Sequence, residues 1–135
     1  MQLDSSAFVA DPELIGALQQ HSTPVLCETD RLLFRQDDPA DGVYILYQGV
    51  VTVTMSAHDG RQIFSIQLAP GSLLGLPALV SDQPYSLTAI AGAGAQVSFV
   101  GRADFFAIMQ AAPLLSLKML QVLAAEVRTA RQALY

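Results

Sequence analysis

The order of apolar and polar positions divides the chain into a short helical start, a β-rich middle and a helical end. From residue 23 to residue 100, runs of β-branched and aromatic residues alternate with turn residues, which is typical of antiparallel strands. The runs predict seven strands, at residues 25–27, 32–34, 43–47, 50–55, 63–68, 87–91 and 96–100. Asp59-Gly60 predicts a hairpin with a type I′ turn, which needs positive φ at both central positions. Many short strands joined by glycine turns indicate a jelly roll or barrel.

Helical patterns flank the strands. Asp11-Pro12 precedes apolar residues spaced by three and four, which predicts a helix with a capping carboxylate and a proline in its first turn, ending near residue 21. Residues 103–109 predict a short helix that is broken near Pro113. Residues 114–135 contain no glycine or proline and predict a helix of about 33 Å at about 1.5 Å per residue.

The last predicted helix carries two apolar stripes. One stripe repeats at spacings of three and four, like the seam of a coiled coil, and predicts a homodimer interface. The second lies on another face and is expected to pack on the β-rich core. The first consists of Leu120, Leu123, Val127, Ala130 and Leu134, and the second of Leu115, Met119 and Val122.

Composition narrows the class of protein. A chain of 135 residues with 52% hydrophobic and 14% charged residues predicts one globular domain over residues 1–135 and excludes disorder. The net charge of −5 argues against direct contact of this chain with nucleic acid, which needs clustered basic residues. No apolar run reaches the length of a membrane span, about 18 residues, and no signal peptide is recognised, so the default location is the cytoplasm.

The residues that could carry chemistry are few and scattered. His21 and His58 stand apart beside a helix end and a turn, which favours exposed loop residues over metal ligands. Cys27 lies in an apparent strand, which favours a packed thiol over a redox sensor. The acidic cluster at residues 37–41 favours a solvated turn over a cation site. We therefore expect no enzyme, no catalytic residue, no metal and no cofactor.

Several segments together resemble the sensor domain of Crp/Fnr transcription regulators. Residues 33–46 resemble that family's first hairpin, residues 49–53, 59–61 and 70–71 fall at its turns, and residues 102–105 resemble the entry to its short helix. The resemblance implies a mainly β fold with flanking helices. It implies a cyclic-nucleotide-binding-like double-stranded β-roll at about residues 24–100, C-terminal helices at about residues 103–135, and a long C-terminal dimerisation helix.

The stretch from Gly71 to Leu79, followed by residues 85–89, resembles the phosphate-cradling cassette of cyclic-nucleotide-binding domains. In that cassette a glutamate holds the ribose hydroxyl and an arginine pairs with the cyclic phosphate. Here Leu76 stands at the glutamate position and Tyr85 at the arginine position, and Pro77 removes one backbone donor. Residues 62–101 contain no Lys, Arg or His, so a buried phosphate would lack a cation there.

The cassette therefore predicts an apolar pocket for a small apolar or aromatic ligand, with polar contacts from Tyr85 and Ser86. The alternative is a cation that reaches in from Arg61, Arg102 or Arg128. The positions that read adenine from the long helix in some relatives match Glu126 and Val127. The predicted ligand-binding residues are Leu73, Leu74, Gly75, Leu76, Pro77, Ala78, Tyr85 and Ser86.

The resemblance implies a regulatory ligand-sensing domain, acting in signal transduction or transcription regulation. Because the glutamate and arginine of the cassette are replaced, we expect that it does not bind cAMP. Two alternatives stay open: a true cyclic-nucleotide-binding protein with an atypical cassette, or a dimerisation or docking module without a ligand. In the family a helix-turn-helix domain usually follows the long helix, whereas this chain stops at Tyr135. The chain is therefore expected to act through a partner or through a DNA-binding domain that the given sequence lacks, either as a stand-alone sensor or as a piece of a longer regulator.

Overall fold

The computed structural model describes residues 5–134, with side chains up to residue 132, and folds them into two antiparallel sheets with flanking helices. The strands are β1 (Thr23–Val25), β2 (Arg31–Phe34), β3 (Gly42–Gln48), β4 (Val51–Ser56), β5 (Gln62–Leu68), β6 (Leu73–Leu74), β7 (Thr88–Ala91) and β8 (Gln96–Gly101). The helices are α1 (Pro12–Gln19), α2 (Leu76–Ser81), α3 (Arg102–Ala111) and α4 (Pro113–Leu134), preceded by a 3₁₀ turn at Ser5–Phe8.

Each sheet contains four strands, in the orders β1-β8-β3-β6 and β2-β7-β4-β5. All pairs are antiparallel, with β3 opposite β8 and β4 between β5 and β7. Apart from the hairpin of β4 and β5, strands that follow one another along the chain lie in different sheets, as in a double-stranded roll. The predicted mainly β roll with a long C-terminal helix is confirmed.

The seven predicted strands are present, with β1 two residues earlier than expected. The pattern missed β6, because two adjacent buried leucines show no alternation along the chain. It also missed the 3₁₀ turn. Helix α1 begins as predicted, with the Glu13 amide donating to the Asp11 carboxylate at 2.8 Å, and it ends at Gln19.

The Asp59-Gly60 hairpin forms, but the predicted type I′ turn is wrong. Gly60 has a φ of +86°, whereas Asp59 is not among the residues with positive φ. The Gly60 amide donates to the Ala57 carbonyl at 2.9 Å, and the Ala57 amide donates to the Arg61 carbonyl at 2.8 Å. The loop is therefore a type I turn followed by a left-handed glycine. The Asp59 carboxylate accepts the Arg61 amide at 2.9 Å and holds this arrangement.

Two apolar cores lie on either side of the sheet that contains β3. One fills the space between the two sheets, and the other lies between that sheet and the helices. The predicted inner stripe of α4 belongs to the second core, where Met119 and Val122 are buried and Leu115 packs beside them. Within residues 5–134, no helix is long and apolar enough to span a membrane.

Candidate ligand-binding site

A cavity of about 240 Å³ lies between α4 and the β-roll, beside the start of α2. Its wall is almost entirely apolar and includes three phenylalanine rings and one methionine. The 3₁₀ turn and strands contribute Phe8, Phe34, Met55 and Phe64; α2 and the segment before β7 contribute Gly75, Pro77, Ala78, Tyr85, Ser86 and Leu87; α4 contributes Glu126, Val127, Thr129, Ala130 and Arg131. The volume suits a small ligand rather than a drug-sized one.

The Tyr85 side chain forms part of the wall and is held by three contacts. Its ring stacks on Phe34 with 4.0 Å between centroids. Its hydroxyl donates to the Gly42 carbonyl at 2.7 Å and accepts the Gly42 amide at 3.4 Å. Burial raises the pKa of the Tyr85 phenol, so it stays neutral. The Gly42 backbone takes the one proton that the Tyr85 hydroxyl can donate, so a polar contact from Tyr85 to a ligand, which stays a prediction, would use the remaining lone pair of its oxygen.

Gly75 allows Tyr85 to approach the start of α2. Its φ is +87°, and a Cβ at this position would lie 2.9 Å from Cε1 of the Tyr85 ring. Only glycine meets both conditions without strain.

The acidic turn at Asp37 and Asp38 clamps the backbone of Tyr85. The Asp37 amide donates to the Tyr85 carbonyl at 2.8 Å, and the Tyr85 amide donates to the Asp38 carbonyl at 2.9 Å. Both aspartates are exposed. Within residues 5–134, no group of three or more His, Cys, Asp or Glu side chains is arranged to hold a metal ion.

Glu126 is the unusual member of the cavity wall. Its side chain is 3% exposed, and neither carboxyl oxygen has a hydrogen-bond partner among the described residues. Burial raises the pKa of this carboxyl well above its ordinary value of 4.5. A buried carboxyl without a partner favours its neutral form, because the charged form loses its hydration. Thr129, one turn further along α4, adds a hydroxyl to the same wall.

The cationic side chain on the cavity wall is Arg131, which was not among the three basic residues expected to reach the cassette. Arg131 is exposed and lies at the rim, near the C-terminal end of α4. Arg102 instead bonds to Asp82 at 3.0 Å. Arg61 flanks the hairpin loop, and neither it nor Arg128 lines the cavity. None of the three basic residues considered from the sequence supplies a cation here.

The structure separates the predicted ligand-binding residues into two groups. Gly75, Pro77, Ala78, Tyr85 and Ser86 lie together on the cavity wall.

The three remaining leucines, by contrast, are fully buried in the two cores. Leu73 and Leu76 pack in the helix-facing core and Leu74 in the core between the sheets. Strand alternation explains the division between Leu73 and Leu74, since adjacent residues of β6 point to opposite faces. The apolar lining comes instead from the phenylalanines and Met55.

The burial of Glu126 and Thr129 on the inner face of α4 could have been predicted from the sequence. The buried stripe of α4 continues from Met119 and Val122 to Glu126 and Thr129 at spacings of three, four and three. A carboxyl at an apolar position of a buried stripe is the signal that marks a site.

A second, open groove runs along the outer face of α4. It is lined by Leu120, Leu123, Ala124, Val127, Arg128, Arg131 and Gln132. Of the predicted dimer seam, Leu120 and Val127 are 50% and 42% exposed, and Leu123 is partly buried against the helix-facing core. Ala130 lines the cavity rather than the groove, and the side chain of Leu134 lies outside the described residues. Leu117, one turn earlier and 58% exposed, was not predicted.

Comparison with known proteins places these features in a family. Residues 24–112 match the family described as the cyclic nucleotide-binding domain. The acetyltransferase Pat of Mycolicibacterium smegmatis is 32% identical over 95 residues, which cover 70% of this chain and 28% of that enzyme. The chain thus spans less than a third of this curated relative.

Solved structures agree on the fold. The catabolite activator protein of Thermus thermophilus superposes with a TM-score of 0.77 at 23% identity, covering 92% of this chain and 58% of that one. The c-di-GMP-responsive global regulator CLP of Xanthomonas campestris superposes with a TM-score of 0.72 at 16% identity, covering 91% of this chain and 60% of that one. At such identities the likeness shows the fold alone.

Proposed function

Because the chain belongs to the cyclic nucleotide-binding domain family, we propose that it works as a ligand-sensing regulatory domain of the Crp/Fnr type whose ligand is not cAMP. One observation carries this proposal: the cavity wall has apolar side chains and an unpartnered carboxyl where a cyclic phosphate needs cations and donors. The cavity is instead suited to a small, mainly apolar ligand.

A cyclic phosphate would meet unfavourable partners in this cavity. A buried anion needs a charge-assisted bond, for which arginine is the usual donor. Tyr85 occupies the arginine position and is committed to Gly42, while Leu76 is buried in the helix-facing core. Arg131 is at the exposed rim, where solvent weakens an ion pair. Losing two such contacts would weaken binding by about 10²–10⁴-fold.

The cavity and the outer groove share two side chains, Val127 and Arg131. A ligand that moves either side chain changes the outer face of α4 at the same time. This shared wall supports a direct route from ligand binding to the interface.

We also propose that the outer face of α4 forms a parallel homodimer. Leu117, Leu120 and Val127 are all more than two-fifths exposed on one helix, which costs hydration free energy unless another surface covers them. The spacing of three and seven residues is that of a coiled-coil seam. The parallel sense follows the family resemblance.

The downstream role that we propose is control of an attached or associated activity rather than catalysis by this domain. Its relatives include an acetyltransferase and a c-di-GMP-responsive regulator, which supports a domain that different outputs can use. Binding of a ligand in the cavity would change the position of α4, and this change in α4 would alter the activity of the partner.

Calorimetric titration with cAMP and cGMP tests the ligand part of the proposal. We expect no saturable heat in the micromolar range and no rise in melting temperature, because a ligand that binds only the folded state must raise it. Arg131→Ala serves as the matched variant, since it removes the cation at the rim. Micromolar binding by the unaltered protein that is lost in Arg131→Ala would support the atypical-cassette alternative instead.

A further inference from the structure

We propose that the cavity selects small aliphatic or arylalkyl amines, with the Glu126 carboxylate pairing with the ammonium group and the apolar wall enclosing the hydrocarbon body. This inference rests on the proposed sensing function and names its ligand class.

The position of Glu126 is the first observation that points to a ligand. The side chain is on the cavity wall and almost fully buried, and both oxygens lack a partner among the described residues. Leaving a buried polar group unpaired is costly, so the site is complete only when a donor occupies the cavity. An ammonium group offers three donors and no acceptor, which complements two acceptor oxygens.

The aromatic wall is the second observation. Phe8, Phe34 and Phe64 line the same cavity as Glu126. Aromatic rings attract cations through the ring quadrupole. A cavity whose wall holds both a carboxyl and aromatic rings thus favours a cationic nitrogen over a neutral or anionic group.

The surrounding charges agree with a cationic ligand. The other ionisable groups on the cavity wall are Tyr85 and Arg131. Tyr85 is neutral and bonded to Gly42, and Arg131 is exposed at the rim. Burial alone raises the pKa of Glu126, without an ion-pair contribution. No described cation therefore competes with the ligand for this carboxyl.

Amine binding would move one proton. At any pH below the raised pKa of Glu126, its carboxyl in the empty cavity holds a proton, and the amine in solution already carries its own as an ammonium ion. When the ion pair forms, the O–H bond of Glu126 breaks and its proton leaves to solvent, while the ammonium keeps all of its N–H bonds. Binding therefore releases about one proton and weakens as the pH falls.

Three compounds of similar shape test the inference: phenethylamine, 2-phenylethanol and 3-phenylpropanoate. Calorimetry of the full chain in two buffers of different ionisation enthalpy measures affinity and proton release together. We expect phenethylamine to bind about tenfold or more tightly than the alcohol, with release of about one proton, and the carboxylate to bind most weakly.

Two variants show whether Glu126 is responsible. Glu126→Gln should lose both the preference for the amine and the proton release, whereas Asp104→Asn, which removes an exposed carboxyl that does not line the cavity, should keep both. Thermal unfolding checks that each variant is folded, and the proton release of the unaltered protein is decisive even if Glu126→Gln does not fold.

Three results would overturn the inference: no amine binding at millimolar concentration, equal affinity for amine and alcohol, or amine binding without proton release. Tightest binding of the alcohol or the carboxylate would also overturn it, but would leave the sensing function standing. Micromolar cAMP binding, in contrast, would overturn the proposed function itself.

Discussion

Two buried side chains determine the chemistry of the cavity, and the sequence revealed their roles unequally. The replacement of the cassette arginine by Tyr85 was visible from residue order alone, but its bond to Gly42 was not, since the two residues lie 43 positions apart. Glu126 was matched to a ligand-reading position only through the resemblance. The spacing of the buried stripe of α4 indicates its burial, but its place on a cavity wall depends on how α4 lies against the roll, which local periodicity does not specify.

The Glu126 carboxyl should make stability depend on pH. Its folded-state pKa is raised above the ordinary value of 4.5, so above that pH the folded chain binds more protons than the unfolded chain. The free energy of unfolding then falls as the pH rises, by up to about 1.4 kcal/mol per unit. Below about pH 4.5 the Glu126 carboxyl is protonated in both the folded and the unfolded state, so it no longer makes the unfolding free energy depend on pH.

Glu126→Gln should remove this contribution. The difference in unfolding free energy between variant and unaltered protein should therefore grow as the pH rises from 4.5. Urea denaturation between about pH 4 and pH 7 measures it. Thr129→Val, a change in the same wall without a titrating group, should keep the original slope. Parallel profiles for Glu126→Gln and the unaltered protein would show that Glu126 is ionised in the fold.

Gly75 offers a test of how tightly Tyr85 is packed. Gly75→Ala adds a methyl group that meets the Tyr85 ring at 2.9 Å, whereas Gly60→Ala, at nearly the same φ, meets nothing within 4 Å. Both variants should lose about 1–2 kcal/mol of unfolding free energy, because alanine disfavours the left-handed backbone conformation. Gly75→Ala should lose about 1–3 kcal/mol more from overpacking. Urea denaturation gives both values. Equal losses would mean that Tyr85 moves aside freely.

At the scale of elements, alternation and turn residues were sufficient for seven strands, because all of them except β1 place buried residues in a core. They failed where an element is very short or where a loop has two compatible geometries. Strand β6 has only two residues, and the Asp59 carboxylate selects the turn type by accepting the Arg61 amide. The inner stripe of α4 was predicted correctly, since Met119 and Val122 contact a core that is fixed by the roll.

The outer stripe of α4 gives a prediction about assembly. Leu120→Asp should dissociate the proposed dimer, because it places an unpaired carboxylate in the seam, and Leu120 does not line the ligand cavity. Gln121→Asp is the matched control, since Gln121 is exposed and adjacent to Leu120 but does not line the groove. Light scattering at tens of micromolar measures the mass. A monomer for the unaltered protein, or a dimer for Leu120→Asp, would contradict the proposed seam.

At the scale of the whole molecule, α4 connects the parts of the proposed sensor. Its inner face packs on the helical core, its C-terminal half closes the cavity, and its outer face forms the exposed groove. Lys118 also ties it to the start of α1, by donating to the Asp11 carboxylate at 2.7 Å. The N-terminal end of α4 is thus anchored, while the C-terminal half is the part that a ligand would contact.

Methyl NMR of the full chain tests most directly whether this cavity takes a small, mainly apolar ligand instead of a cyclic nucleotide. Met55 and Ala130 report from the cavity wall, and Met109 reports from the separate helical core. We predict that phenethylamine or 2-phenylethanol shifts the Met55 and Ala130 signals saturably, that Met109 is unaffected, and that cAMP at the same concentration changes none of them. Saturable shifts of Met55 and Ala130 by cAMP at micromolar concentration, with neither phenyl compound bound, would contradict the account.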